Sequence, residues 1–248
     1  MGVKQSIREA DSRYTGGRVR RWFVRNFVLG GRWGEYIGWI DAVPAGATVL
    51  DLGAGEAELR ARLPHARYIA IDRGVGHAGW DYSALDVVAD ATAIPLAPAS
   101  IDVIVCKQVL EHISEPVAML TEAARVLKPG GKILLSTNQA WPQHQQPYDF
   151  FRYTSFGLRY CFEKAGLEVE RMEAMGGVFT CSFFHFTQTL SPHLYAKSAG
   201  GRRTISIVTK PLAWLFRLVV PLVTALDKLD KTKDNTLGWY VLGVLPRA

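Results

Sequence analysis

The chain has 248 residues, 48% of them hydrophobic and 21% charged, with a formal net charge of +6. That is enough apolar material for one α/β domain with additions, and it excludes a disordered chain. Cys106, Cys161 and Cys181 are widely spaced in apolar contexts, which fits reduced thiols rather than a disulfide framework or a zinc site, so no metal is implied.

The positive charge is uneven. Lys4, Arg8, Arg13, Arg18, Arg20, Arg21, Arg25 and Arg32 stand against only Glu9 and Asp11 near the N-terminus, a balance that suits an anionic partner there. No signal-peptide core or cleavage site precedes them, so a cytoplasmic location is expected. Residues 1–17 are polar and glycine-punctuated and read as an arm or a lid. Val19, Trp22, Phe23 and Phe27 then recur at helical spacing, with Arg18, Arg21 and Arg25 on another face. Trp33, Tyr36, Ile37, Trp39 and Ile40 predict a second helix, separated by Gly30-Gly31 and stopped at Pro44. This basic amphipathic layer over residues 1–45 either packs on the core with solvated arginines or lies on a membrane surface.

From Ala47 strand-like and helix-like stretches alternate. Strands are predicted at 47–52, 67–72, 85–89, 101–106 and 131–137, with helices between several of them. One helix spans 115–127 and is stopped by Lys128-Pro129-Gly130-Gly131; another runs from Thr154 as cap to Ala165, ends at Gly166 and leads into a strand at 167–174. A last apolar strand covers 239–245. The rhythm predicts a doubly wound, Rossmann-like α/β fold with a mostly parallel seven-stranded sheet.

Residues 177–235 break that rhythm and read as a hydrophobic helical insertion before the last strand. Their apolar run, Pro211 to Leu226, is shorter than a bilayer span, follows Lys210 and contains Arg217 and Pro221, so a transmembrane helix is not expected. An interfacial helix, a cap over the site and a dimer surface all remain open. The resulting organisation is an N-terminal layer at 1–45, a main domain at 46–176 and 236–248, and a cap or membrane-facing insertion at 177–235.

The densest signal is Val49-Leu50-Asp51-Leu52-Gly53-Ala54-Gly55-Glu56-Ala57-Glu58-Leu59-Arg60. An apolar strand ends in an acid and passes through two glycines into a helix-like pattern, which lets backbone N–H groups approach a ligand. About twenty residues further on, the second strand ends in Asp72, suited to ribose hydroxyls. The third ends at Asp90, and the fourth is followed by Lys107-Gln108-Val109-Leu110-Glu111-His112 at the lip of the same crevice.

Together with Ile101-Asp102-Val103-Ile104 and Arg125-Val126-Leu127-Lys128-Pro129-Gly130-Gly131, these motifs resemble the class I S-adenosylmethionine-dependent methyltransferases, specifically the type 11 methyltransferase domain, over about residues 45–175. Ala57 stands where that pattern has a third glycine, which alters the approach of the following helix. The resemblance implies S-adenosylmethionine as cofactor, S-adenosylhomocysteine as product and no metal. Gly53 and Gly55 would lie against the methionine part, with Asp51 facing its ammonium through water. Asp72 would hold the ribose, Asp90 with the backbone of Ala91 would read adenine, and Gln108 would line the floor near the sulfonium. Glu111 and His112 would brace the fold, with direct catalysis by His112 as the alternative.

A second stretch, Trp141 to Thr154, resembles a segment of bacterial type 11 methyltransferases found with polysaccharide and glycolipid enzymes. Methyl transfer is an in-line displacement, and a hydroxyl acceptor must lose a proton. His144 is the expected base, since its ordinary pKa lies near neutrality, with Asp149 as its orienter or alternative. Arg152 could hold an anionic acceptor, and Tyr148 and Tyr153 could shape the pocket; alternatively Asp149 and Arg152 form a buried salt bridge that fixes the loop. The implied reaction is O-methylation of a saccharide or lipid-linked glycan at the inner membrane face. A hydrophobic quinone or phenol is the rival acceptor. A nucleic-acid partner has less support, because no RNA-binding module accompanies the basic segment. A homodimer is left open.

Overall fold

The computed structural model describes residues 33–76, 79–195 and 219–247. The expected arm over 1–17, the basic segment from Arg18 and the part of the apolar run before residue 219 lie outside them.

The strands are β1 (Thr48–Leu52), β2 (Arg67–Asp72), β3 (Val87–Val88), β4 (Ile101–Lys107), β5 (Leu127–Asn138), β6 (Glu168–Ala174) and β7 (Gly238–Val244). They form one seven-stranded sheet in the order β3-β2-β1-β4-β5-β7-β6. β1 to β5 pair in parallel, with Thr48 opposite Arg67 and Leu50 opposite Ile104, while β7 runs antiparallel between β5 and β6. The chain reverses its direction of winding between β1 and β4, so the ends of those two strands bound the crevice where such sheets bind ligands.

Helices cover both faces: α1 (Trp33–Asp41), α2 (Pro116–Val126), α3 (Ser155–Lys164), α4 (Val178–Tyr195) and α5 (219–226). Because strand side chains alternate, β1 sends Leu50 and Leu52 into a core shared with Met119 and Leu120 of α2 and Leu158 and Phe162 of α3. Its Val49 points the other way, into a core with Tyr36 and Ile40 of α1, Phe184 of α4 and Val223 of α5. β1 is therefore apolar on both faces, as its unbroken run requires.

Two local expectations need correction. The helix-like pattern after the glycine turn is only a 3-10 turn, Glu58–Arg62. The third strand is two residues long. Lys128-Pro129-Gly130-Gly131 does turn the chain, with Gly130 at φ +80°, but it does so within the span of β5, where the pairing with β4 jumps from Ile101–Leu127 to Val103–Lys132. Leu127 already pairs with Ile101, so the strand begins as soon as α2 ends. By contrast, Thr154 caps α3 by accepting from the Gly157 N–H at 3.1 Å, and Gly166 follows with φ +75°, as the cap residues predict.

The described part of the 177–235 insertion is stitched to itself and to the sheet. Asp227 accepts from the N–H groups of Gly177, Phe179 and Thr180 at 2.8–3.1 Å and from the Thr180 hydroxyl, capping α4 with a carboxylate from beyond α5. Asp230 adds the Val178 N–H at 2.8 Å. A carboxylate at a helix N-terminus satisfies orphan donors and opposes the helix dipole. Among the described residues no helix is long and apolar enough to cross a membrane.

Candidate active site

Beyond the ends of β1 and β4 lies a cavity of about 400 Å³, within the usual size of small-molecule sites. One wall is the turn after β1. Gly53 has φ +78° and Gly55 φ +55°, backbone that side chains rarely tolerate. A Cβ on Gly53 would come within 2.3 Å of Val109 Cγ2, so the turn lies directly against the segment that follows β4. Ala57, the departure from the glycine pattern, also takes a left-handed conformation, φ 54°, as it leads into the 3-10 turn. Asp72 ends β2 and braces this wall, accepting from the Gly55 N–H at 2.9 Å and the Gly74 N–H at 2.7 Å. Each carboxylate oxygen keeps a second lone pair for a ligand hydroxyl.

The opposite wall follows β4. Gln108 has φ +56°, and its N–H donates to the Ser136 carbonyl at 2.9 Å. With its amide oriented to match its neighbours, Gln108 donates to Asn138 Oδ1 at 2.6 Å. Asn138 and Thr137 in turn donate to the Glu111 carboxylate at 2.7 and 2.8 Å. Glu111 is fully buried, and burial pushes its carboxyl up to about 7. Its carbonyl also receives the N–H groups of Phe150 and Phe151. Glu111 thus fixes the floor of the cavity to the loop beyond β5.

That loop closes the far end. Trp141, His144, Gln145 and Tyr148 line the cavity together with His112 and Ile113. Arg152 holds the loop's two strands together, donating to both oxygens of Asp149 at 2.7 Å, to the Trp141 carbonyl at 2.8 Å and to the Pro142 carbonyl at 3.1 Å. Asp149 also accepts from the His144 N–H at 2.8 Å. Burial pushes the Asp149 carboxyl up, but these donors and charges hold it below the ordinary carboxylate range.

The two histidines meet edge to face, ring centroids 4.7 Å apart. Nδ1 of His112 faces the Tyr148 carbonyl, and Nδ1 of His144 faces the Pro142 carbonyl at 3.1 Å. A carbonyl only accepts, so in the neutral rings both Nδ1 atoms carry the proton and both Nε2 atoms keep a lone pair. Nε2 of His112 is buried with no hydrogen-bond partner among the described residues. Burial lowers both histidines' pKa values, and the neighbouring His112 ring helps bring His144 down to about 4. One ring nitrogen of each and a Glu111 carboxylate oxygen lie within 4.8 Å of one another.

The structure brings together Gly53, Gly55, Asp72, Ala91, Gln108, His112, His144 and Tyr148 of the residues expected from sequence. It places five others outside the cavity lining. Asp51 is buried behind the glycine turn, where it accepts from the Tyr68 hydroxyl; burial raises its carboxyl to about 6. Asp90 turns to Thr92, accepting from its N–H at 2.9 Å and its hydroxyl at 2.7 Å, with Arg73 at 3.5 Å. Asp149 and Arg152 pair with each other, and the Tyr153 hydroxyl donates to the Leu110 carbonyl at 3.1 Å inside the core. For Arg152 the expected anion-holding geometry is replaced by a loop clamp. Lining residues not singled out from sequence include Trp80, whose indole lies over Gly55, and Trp141, which stacks on Phe184 at 4.6 Å between centroids. Trp80-Asp81-Tyr82 is an aromatic signal in the loop after β2; Trp141 belongs to the aromatic-rich stretch already marked.

Residues 50–135 match the family model described as a methyltransferase domain. A "probable S-adenosylmethionine-dependent methyltransferase" of Mycolicibacterium smegmatis is 34% identical over 139 residues, 51% of this chain and 54% of that protein. A ubiquinone biosynthesis O-methyltransferase of Cupriavidus pinatubonensis is 30% identical over 117 residues, 41% of this chain and 46% of that one. The chain thus spans about half the length of the curated relatives it matches. Among solved structures, a chain in the Haloferax volcanii complex of the Trm112 methyltransferase activator aligns over 96% of this chain and 98% of its own length, with a TM-score of 0.55 and 21% identity; that likeness is one of fold.

Proposed function

We propose that this chain, whose fold and domain family are those of the class I S-adenosylmethionine-dependent methyltransferases, transfers the cofactor's methyl group to a hydroxyl oxygen held beside His112 and His144. The observation that carries the reading is the cavity itself. Its glycine-turn wall and Asp72 fit the cofactor, and two lone-pair nitrogens lie at the other end. Gly53 and Gly55 would lie against the methionine part, Asp72 would accept from ribose hydroxyls, and the backbone beside Ala91 would meet the adenine. Asp51 would act on the ammonium from behind the turn. Gln108 would border the sulfonium.

An acceptor hydroxyl pointing at His144 Nε2 donates its proton there as the oxygen attacks the methyl carbon in line with the departing sulfur. The clamp of Asp149 and Arg152 positions the His144 backbone for this step. Low basicity keeps the ring neutral at physiological pH, and the proton moves to it as the hydroxyl oxygen gains positive character by giving a lone pair to the methyl carbon while the sulfur leaves with the C–S bonding pair. Trp141 and Tyr148 offer aromatic faces to the acceptor, which suits the C–H face of a sugar ring; we take a saccharide or lipid-linked glycan as the acceptor class. A quinol or phenol would use the same faces, and the O-methyltransferase of ubiquinone biosynthesis among the relatives favours that second reading. Exposed Phe179 and Phe186 on α4, and exposed Leu222 on α5 and Leu229 just beyond it, support action at a membrane face where either acceptor is anchored.

The test is transfer of labelled methyl from S-adenosylmethionine to fractionated lipid and polar extracts, with His144→Ala alongside. Label in a lipid-linked saccharide, lost in the variant, is expected. Label in a quinone fraction would replace the glycan reading, label only in water-soluble material would remove the membrane, and full activity in the variant would remove His144 as base.

A further inference from the structure

Glu111 and the two histidines make a combination that proton transfer alone does not require. Glu111 is a fully buried carboxylate whose side-chain partners, Thr137 and Asn138, are neutral donors. Oε1 accepts from Asn138 at 2.7 Å and from the Gln108 amide at 3.3 Å, whereas Oε2 accepts only the Thr137 hydroxyl among these side chains, at 2.8 Å, and is the oxygen open to a ligand. Backbone carbonyls hold Nδ1–H of both rings, the same outer support that orients metal-binding histidines and sets their tautomer. His112 Nε2 is buried with no hydrogen-bond partner among the described residues, and an incoming ligand would satisfy it. The Arg152 guanidinium near the cluster is already matched by Asp149 at 2.7 Å.

We propose that Glu111, His112 and His144 form a binding site for a divalent transition-metal ion at the acceptor end of the cavity. Two imidazoles and one carboxylate select a borderline ion of the zinc or ferrous type over calcium or magnesium, which prefer all-oxygen sites. Ligands about 2.0–2.2 Å from one ion lie about 3–4 Å from one another, so the present span of 4.8 Å closes by about 1 Å on binding. His144 can supply that movement, since it sits in the loop between β5 and α3 while Glu111 and His112 share the 3-10 turn Leu110–His112. Of the three ligands, His112 and His144 line the cavity, so an ion would be reached from that side.

Binding itself does not depend on the proposed reaction; its consequence for catalysis does. A bound ion takes the His144 lone pair that would otherwise receive the acceptor proton, so loading is expected to slow methyl transfer and chelation to restore it.

The experiment strips the full chain with a chelator, then titrates Co²⁺ by ligand-field absorption and Zn²⁺ by calorimetry. One ion per chain is expected, with Zn²⁺ displacing Co²⁺. Loss of an outer partner alone weakens metal sites about 10–100-fold, so the double variant His112→Ala/His144→Ala should lose at least about 100-fold. Glu111→Gln should lose affinity while retaining wild-type circular dichroism; if that buried substitution unfolds the chain, the histidine variants, whose side chains border the cavity, decide the matter. Binding below one ion per chain, or equal affinity in the double variant, would overturn the site. Slower labelled-methyl transfer with Zn²⁺ supports both readings. Faster transfer keeps the metal site but removes His144 as base, and metal binding without any methyl transfer would count against the proposed function alone.

Discussion

Replacing Gly53 by alanine tests whether the two walls of the cavity are held by direct packing. The substitution has two separable costs. At φ +78° an L-residue loses about 1–2 kcal/mol to steric conflict with its own backbone. The new methyl would also sit 2.3 Å from Val109 Cγ2 and 2.8 Å from Cγ1. Valine has no flexible end to swing away, and overpacking of this kind costs about 1–3 kcal/mol. The variant should therefore lose about 2–5 kcal/mol in urea unfolding. Because Val109 lines the cavity, S-adenosylmethionine affinity should fall by about tenfold, a 1.4 kcal/mol effect. Val109→Ala alone gives up two partly buried methyl groups, about 1–2 kcal/mol. In the double variant the two Cγ clashes are gone, with the Cβ of residue 109 left at 3.1 Å, while the φ cost remains, so the two changes should combine with about 1–3 kcal/mol less damage than their sum. Simple additivity in the double-mutant cycle would refute the packing argument, and a loss under about 1 kcal/mol for Gly53→Ala would refute both parts.

Asp51, buried and raised to about 6, sits above its unfolded value of about 3.9. Its protonation therefore favours the cofactor-free fold, fully below about pH 4, and that contribution is lost as pH rises through 6; at pH 8 the ionised form costs on the order of 3 kcal/mol. Asp51→Asn should raise the unfolding temperature at pH 8, and the wild-type-minus-variant stability difference should flatten below pH 4. If Asp51 acts on the cofactor ammonium as proposed, cofactor affinity should weaken in the wild type as pH falls through 6 and stay level in the variant. Arg152→Lys loses the paired contact with Asp149 and the carbonyl bonds to Trp141 and Pro142. Stability should drop by about 2–4 kcal/mol, with faster amide exchange over 141–149 and cofactor affinity changed less than about threefold. Ala57→Gly relieves about 1–2 kcal/mol at φ 54° but removes a buried methyl worth about 0.8 kcal/mol. Its melting midpoint should be unchanged or slightly higher, whereas Ala57→Val should lower it.

The parts of the fold that could be read in advance are those in which one residue type has one physical use. Val49, Leu50 and Leu52 are apolar because both faces of β1 are covered, with Asp51 the one buried acid among them, and such a run has few other homes. Thr154 caps α3 through its own hydroxyl. Lys128-Pro129-Gly130-Gly131 turns the chain because Gly130 supplies the left-handed backbone, φ +80°, and Gly131 packs against the Lys128 and Asp102 carbonyls, where a Cβ would come within 2.8 and 3.1 Å; that the turn sits inside a longer strand is set by the neighbouring strands. By contrast, Glu58–Arg62 has helical residue types, but Leu59 and Leu63 enter the core after a single 3-10 turn.

The acceptor end illustrates a deeper limit. Residue type states how many donors and acceptors a side chain owns, whereas chemistry depends on how many are left after folding. Arg152 looks suited to an anionic acceptor and Asp149 to orienting His144; their strongest side-chain contacts are with each other, and Asp149 meets His144 through the backbone N–H at 2.8 Å, with Nδ1 at 3.6 Å. Tyr153 spends its hydroxyl on Leu110, and Asp90 spends one oxygen on Thr92. His112 and His144 differ because their backbone partners are carbonyls, which consume the proton-bearing nitrogen and leave the other nitrogen's lone pair in place. The backbone geometry of residues 142 and 148, which no side-chain pattern encodes, thereby selects the reactive tautomer. The glycine-turn wall and Asp72 were legible because they act through backbone position, whereas Asp51 and Asp90, read from the same kind of signal, turn to Tyr68 and Thr92. The far end was less legible still, because the lone pairs it keeps are the remainder of a hydrogen-bond count.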